Sequence, residues 1–342
     1  MKKFEKFLAT IHFPPNPFRN FDNSLPTSVS LRDHRRSGRF GNEGKALPKG
    51  NARRGLELFR TRLIDANAIT CVTCHTLPTG QGTPMRRNGV LFDPIPAGPN
   101  GETHQALIGQ DASEQRGFKV PHLRNLYDKV GMETTQKNSR AGFGFFHDGS
   151  IDSLARFVST EVFDVESDRE VADLVAFMLA FSGSDFEQRL LEPPGTDSLD
   201  VHAAVGRQAT VSGPGQKASL IGAMVSVAKT SAVELSVKTV ENGAERGWLY
   251  DPAGDAFASD RSGEAPLSLS ALLARAAPGA ELTFTVVARG TGESIAFDRT
   301  GADLRALRAV RALDPEPLGI RNPRNRKPRI EDSNVPPQPP QE

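Results

Sequence analysis

The 342-residue chain carries 42 Lys and Arg against 41 Asp and Glu, so a net charge of +1 gives no bulk attraction to nucleic acid or to an anionic surface. A hydrophobic fraction of 37%, with 25 Pro and 31 Gly, argues against one continuous core at this length and predicts two domains with much irregular chain. No run of residues is long and apolar enough for a transmembrane span.

The chain opens on Met1–Thr10, where lysines flank the apolar patch Phe7-Leu8-Ala9. That patch is too short for the apolar segment of a signal peptide. Residues 1–48 read as an irregular Pro/Arg-rich arm. Pro14, Pro15 and Pro17 fix φ and remove donors. Arg32, Arg35, Arg36 and Arg39 form a basic run expected to be solvated.

A first domain is expected over 49–185. Leu56, Phe59 and Leu63 recur at helical spacing and predict a helix over 51–64. Gly55 falls on that helix and marks a place where another helix could approach closely. Next comes Cys71-Val72-Thr73-Cys74-His75, which uses the only two cysteines of the chain. The spacing C-x-x-C-H is that of c-type haem attachment. Each thiol can add across one vinyl group of the porphyrin, and the two-residue gap lets both reach one face. The next residue, His75, then offers a neutral imidazole to the iron. A thioredoxin-like pair needs no histidine, and a four-ligand zinc site would need two further nitrogen or sulfur ligands.

Residues 76–119 are rich in Gly, Pro and polar residues and predict a long loop over the haem. Residues 121–129 suggest a short helix. The stretch 142–149 is a glycine-rich turn holding Phe145, Phe146 and His147. Ser150 is expected to cap a helix bearing Leu154, Phe157 and Val158. Ser167 and Glu170 form a capping box for a last helix with Val171, Leu174, Val175, Met178 and Phe181 on its buried stripe. Residues 186–200, with Pro193, Pro194 and Gly195, read as a linker.

A second, small β-rich domain is expected over 201–312. Val233, Leu235 and Val237 alternate with polar residues, as do Leu282, Phe284 and Val286. Ile295 and Phe297 are candidates to extend that pattern. Asn242-Gly243 signals a turn, and 268–276 a short helix. Residues 313–342, rich in Pro, Arg and Asn, are expected to be disordered. The fold class is therefore α+β and multidomain: an all-α cytochrome-c-like haem domain followed by a small β-rich domain.

Several residues compete for the sixth position on the iron. Met132 lies after a predicted helix, far enough past His75 for the chain to cross to the opposite face, and it leads. Met85 and His147 follow, and an open face is the remaining option. Met178 reads as core, and Met224 belongs to the other domain. His147 is also a candidate catalytic acid–base group, with Asp148 orienting the ring.

Taken together, Cys71–His75, Phe118-Lys119-Val120-Pro121-His122-Leu123-Arg124-Asn125, Phe145-Phe146-His147-Asp148-Gly149-Ser150 and Ala172-Asp173-Leu174-Val175-Ala176-Phe177 resemble the C-terminal haem domain of the bacterial di-haem cytochrome c peroxidase and MauG superfamily. The resemblance covers residues 48–185. It implies a cytochrome-c-like helical fold, a periplasmic or extracellular location, and an electron relay to a second haem. Those enzymes carry two C-x-x-C-H motifs, whereas this chain has one, and their axial methionine follows the His-Asp-Gly turn, where 151–165 contains none.

The leading expectation is a protein with one covalent haem c that transfers electrons, as the relay module of a larger exported redox protein. Cys71 and Cys74 would anchor the haem, with His75 and Met132 on the iron. Because haem is attached outside the cytoplasm and no export signal is read here, the chain is expected to be a piece of that larger protein. Its partner would be a redox protein or an upstream haem domain, with no nucleic acid and no membrane span. One alternative is a peroxidase- or oxidase-like enzyme with an open haem face near His147. Another is that 201–312 binds a partner.

Overall fold

The computed structural model describes residues 3–4, 12–31, 34–65, 67–75, 77, 80, 85–88, 91–94, 107–108, 118–119, 121–129, 144–145, 149–182 and 201–297. These residues build two hydrophobic cores, one drawn from Leu25 to Phe181 and the other from Ala204 to Val286.

The first core is organised by two helices. α1 (Ala52–Thr61) starts at Asn51, whose side chain accepts from the Arg53 and Arg54 amides. Its buried stripe is Ala52, Gly55 and Phe59, with Leu56 half-buried and Leu63 exposed beyond the helix end. α2 (Cys71–Cys74) is a single turn, and α3 (Leu126–Lys129) and α4 (Leu154–Val158) are similarly short. Ser153 rather than Ser150 caps α4. α5 (Asp168–Leu179) begins at Ser167, which accepts from the Glu170 amide; the Glu170 carboxylate reaches back one residue further, to the Glu166 amide. Every residue of α5 from Val171 to Leu179 is buried, because other elements cover it all round.

A built Cβ on Gly55 would stand 1.9 Å from the Asp173 carbonyl oxygen, so glycine alone lets α1 lie this close to α5. Across the same contact Arg54 pairs with the Asp173 carboxylate, whose other oxygen accepts from the Asn51 amide at 2.7 Å. The sequence-derived suggestion of close helix approach at Gly55 is what the packing displays.

The expectation of an all-α cytochrome-c-like haem domain is wrong. Two antiparallel strand pairs interrupt the helices where a long loop was expected: β1 (Met85–Asn88) with β2 (Leu91–Pro94), and β3 (Leu107–Ile108) with β4 (Phe118–Lys119). The register pairs Met85 with Pro94 and Asn88 with Leu91. The chain is a mixed α/β fold whose largest sheet has five antiparallel strands.

The arm is irregular, but it is packed rather than solvated. Leu25, Val29, Leu31 and Leu47 are buried in the first core, and bridges join Val29 to Gly50 and Arg35 to Ala46. Arg36 pairs with Asp168, and Arg39 donates to the Thr160 and Phe163 carbonyls, each at 2.8 Å. His34 is buried there, and desolvation pushes its pKa down to about 4. The native state thus keeps His34 neutral while the unfolded chain protonates it below its ordinary value of 6.5. Stability should fall by about 3 kcal/mol between pH 6.5 and pH 4 on this account, and level off below. Urea unfolding of the wild type and of His34→Gln at pH 7 and pH 4.5 measures it: the variant should lose this part of the pH dependence.

The second core lies between a sheet and a helix. The strands are β5 (Gln208–Val211), β6 (Val233–Glu241), β7 (Ala244–Asp251), β8 (Ala256–Ser259) and β9 (Leu282–Ala288), in the order β5-β9-β6-β7-β8. The alternations at 233–237 and 282–286 form strands as predicted, with those apolar residues fully buried. Asn242 and Gly243 join β6 to β7 with φ of 52° and 79°, the left-handed pair that suits a tight hairpin. α6 (Ala218–Lys229) packs Ile221, Met224 and Ala228 into the core. α7 (Leu269–Leu273) falls within the helix predicted at 268–276. Ile295 and Phe297 do not extend a strand. Ile295 lies on α8 (Gly292–Ala296), and Leu249, Ala296 and Phe297 form a small separate cluster.

At one end of this sheet, Arg246 is 1% exposed and holds four partners: Asp260 at 3.0 Å, Glu241 at 3.3 Å, Ser259 at 3.0 Å and Glu264 at 2.6 Å. Its guanidinium and that of Arg275 lie 4.9 and 5.2 Å from the ring centroid of buried Trp248. Among the described residues, no helix is long and apolar enough to cross a membrane.

Candidate functional site

The C-x-x-C-H residues occupy α2 and the position that ends it. Residues three apart on a helical turn share a face, which brings the two cysteines to one side. The turn is closed by the Thr73 amide on the Thr70 carbonyl at 3.0 Å and the His75 amide on the Cys71 carbonyl at 2.9 Å. Cys71 and Val72 pack against the first core. Both thiols are free and half-buried.

Burial pushes the Cys71 thiol up to about 12, with the Cys74 charge adding to it, and the Cys74 thiol up to about 11, with Asp65 adding. At neutral pH the thiolate fraction is then on the order of one in ten thousand or less. A redox-exchange pair works by a depressed thiol pKa, the opposite of this environment. Protonated thiols suit addition across a vinyl double bond, in which sulfur bonds one carbon and a hydrogen ends on the other.

His75 retains partial exposure as a residue, but its Nδ1 is buried without a hydrogen-bond partner. Burial lowers its pKa to about 4, against an upward pull from the Gly80 and Pro121 carbonyls. Neither carbonyl completes a hydrogen bond to Nδ1. The imidazole is therefore neutral at pH 7, the form that ligates a metal. Phe59, delivered by α1, lies against the ring with centroids 6.2 Å apart and stacks in turn on Phe177 of α5 at 5.1 Å. Phe181 is edge-on to Phe177 at 5.8 Å. Gly80, at φ 62°, approaches Phe181 and Leu123 so closely that a Cβ would stand 3.0 Å from the Phe181 ring. Leu77, Leu123, Phe59 and Phe181 are all buried, so this side of the imidazole is dry.

Protonated paired thiols on one turn, a neutral imidazole beside them and an apolar backing fit a c-type haem. Among the described residues, no group of three or more His, Cys, Asp and Glu is placed to share a metal ion.

The other candidates fare differently. Met132 and His147, with His104 and Asp148, lie outside the described residues. Met85 falls on β1. Met178 is in the first core and Met224 in the second, as packing residues. His122 is exposed, its ring 5.9 Å from Phe13. His202 accepts the Ala204 amide through Nδ1 at 3.1 Å. Gly80 and Pro121 were not foreseen as neighbours of His75, because nothing in their spacing distinguishes a carbonyl that faces a ring from one that faces water.

No protein-family model matches the chain, and no curated protein or solved structure does either.

Proposed function

We propose that this chain is a c-type haem protein that transfers electrons. The observation that carries the reading is the imidazole of His75: neutral, with an unpartnered buried Nδ1, at the end of a turn that presents two protonated thiols. When bound, a haem supplies a one-electron couple whose potential depends on its axial ligands and on how dry its surroundings are.

Cys71 and Cys74 anchor the group, and the rigid turn fixes where it lies relative to His75. His75 would hold the iron through its neutral imidazole. Phe59 limits the orientations open to its ring, while Phe177 and Phe181 back Phe59 and keep water from that side. Met132 would be the second residue to hold the iron. The protein then belongs outside the cytoplasm, in the periplasm or beyond it, as the relay module of a larger redox protein. Its partner is a redox protein or an upstream haem domain.

The full chain made in a host that matures c-type cytochromes should be red and keep its colour through acid–acetone extraction. Its mass should exceed that of the polypeptide by one haem. Cys71→Ser with Cys74→Ser should abolish the retained mass. His75→Gly should keep the covalent mass but lose the low-spin spectrum. A folded, colourless wild-type chain with the mass of the bare polypeptide would overturn the proposal.

A further inference from the structure

The arm carries a feature that the haem reading does not use. Residues 16–24 join the two cores, although Ala203 lies 180 positions along the chain from the residue it meets there. One side of this segment finishes α5. Asn16 Nδ2 donates to the Leu179 carbonyl at 2.9 Å and to the Phe181 carbonyl at 3.1 Å. Arg19 Nη1 donates to the Ala180 carbonyl at 3.0 Å. Helix ends leave such carbonyls unpaired, and a cation is favoured beside them. Phe18 packs on the first core, its ring 6.4 Å from that of Tyr127.

The other side holds the second core. Phe21 packs against it. The Ala203 amide donates to Asn23 Oδ1 at 3.1 Å. Between the two sides the turn is braced. Asn23 has φ 65°, its amide bonds the Asn20 carbonyl at 2.9 Å, and Arg19 Nε donates to its carbonyl at 2.7 Å. Arg19 therefore reaches the end of α5 and the turn that meets Ala203 at once.

We propose that residues 16–24 are an interdomain clasp, whose partner is the 201–297 unit of the same chain, so that docking of that unit depends on the folded end of α5. Phe18 and Phe21 are its two apolar pegs, Arg19 is its brace, and Asn23 is its catch. The clasp works whether or not a haem is attached.

Amide hydrogen exchange on the full chain tests this. Asn23→Gly keeps the left-handed backbone and removes the acceptor. The Ala203 amide should then exchange about tenfold faster. The amides of Val175 in α5 and Leu235 in β6 should be unchanged. Adding Phe21→Ser should also raise the radius of gyration in small-angle scattering. Unchanged Ala203 protection in Asn23→Gly overturns the proposal, and that variant alone decides it if the Phe21→Ser chain fails to fold. Equal acceleration at Val175 and Leu235 would also overturn it, because the turn would then be serving general stability.

Discussion

Gly55→Val should unfold the first core and leave the second standing. The nearest neighbour of the new Cβ would be the Asp173 backbone oxygen at 1.9 Å, with the Asp173 carbonyl carbon and the Phe177 Cβ at 2.6 and 2.7 Å. No rotamer relieves a clash with backbone, so α1 and α5 must separate. That separation strips the Arg54–Asp173 pair and the Asn51 amide contact, and it lifts Phe59 off Phe177. The cost should be at least about 3 kcal/mol, the upper part of the range for overpacked cores. Gly222→Ala is the control: it lies within α6 with nothing inside 4 Å of a built Cβ, and should stabilise by about 0.5–1 kcal/mol. Circular dichroism during urea unfolding checks both. Trp248, the single tryptophan, should keep the emission of a buried indole in Gly55→Val. On the proposed haem reading, that variant should lose the low-spin spectrum, because Phe59 would no longer position the His75 ring. A Gly55→Val chain as stable as the wild type would mean that the helices do not meet as described.

Arg246→Met should do the reverse, destabilising the second core by about 3–5 kcal/mol. The guanidinium is 1% exposed, and the Asp260 side chain it pairs with is 7% exposed. Methionine fills much of the volume but leaves Asp260 a buried charge without its cation, and Ser259 Oγ with the Arg261 amide as its remaining donor. Arg246→Lys should recover only part of the loss, since one ammonium cannot reproduce a planar fork that meets Asp260, Glu241, Ser259 and Glu264 at once. Trp248 fluorescence during denaturation reads the effect directly, because the indole lies against this guanidinium. A midpoint shift worth less than about 1 kcal/mol would show the network to be no better than an exposed one.

Those two sites show what was legible in the sequence. Gly55 could be singled out because a glycine interrupts an otherwise apolar helical face. Arg246 could not, since an arginine in a strand reads as solvated until its neighbours on β8 and the following turn are known. The same divide runs through the fold. Strands β6 and β9 were legible because alternation writes the buried face into the chain. The pairs β1–β2 and β3–β4 were not, since strands of four and two residues are too short to show a period. α6 was missed although Ile221, Met224 and Ala228 keep helical spacing, and no side-chain cap marks its start at Lys217. At the candidate site the motif drew attention to Cys71, Cys74 and His75. The aromatic backing from α5 depends on the α1–α5 contact, which no local pattern specifies.

The arrangement of the large sheet has a bearing on behaviour in concentrated solution. Its two outermost strands, β5 and β8, are four residues each, while the interior β6 has nine, and β8 is further screened by the Phe257–Leu267 bridge. Borders this short offer few free amides and carbonyls to a foreign strand. This sheet should therefore resist edge-to-edge pairing with a foreign strand, even when crowded.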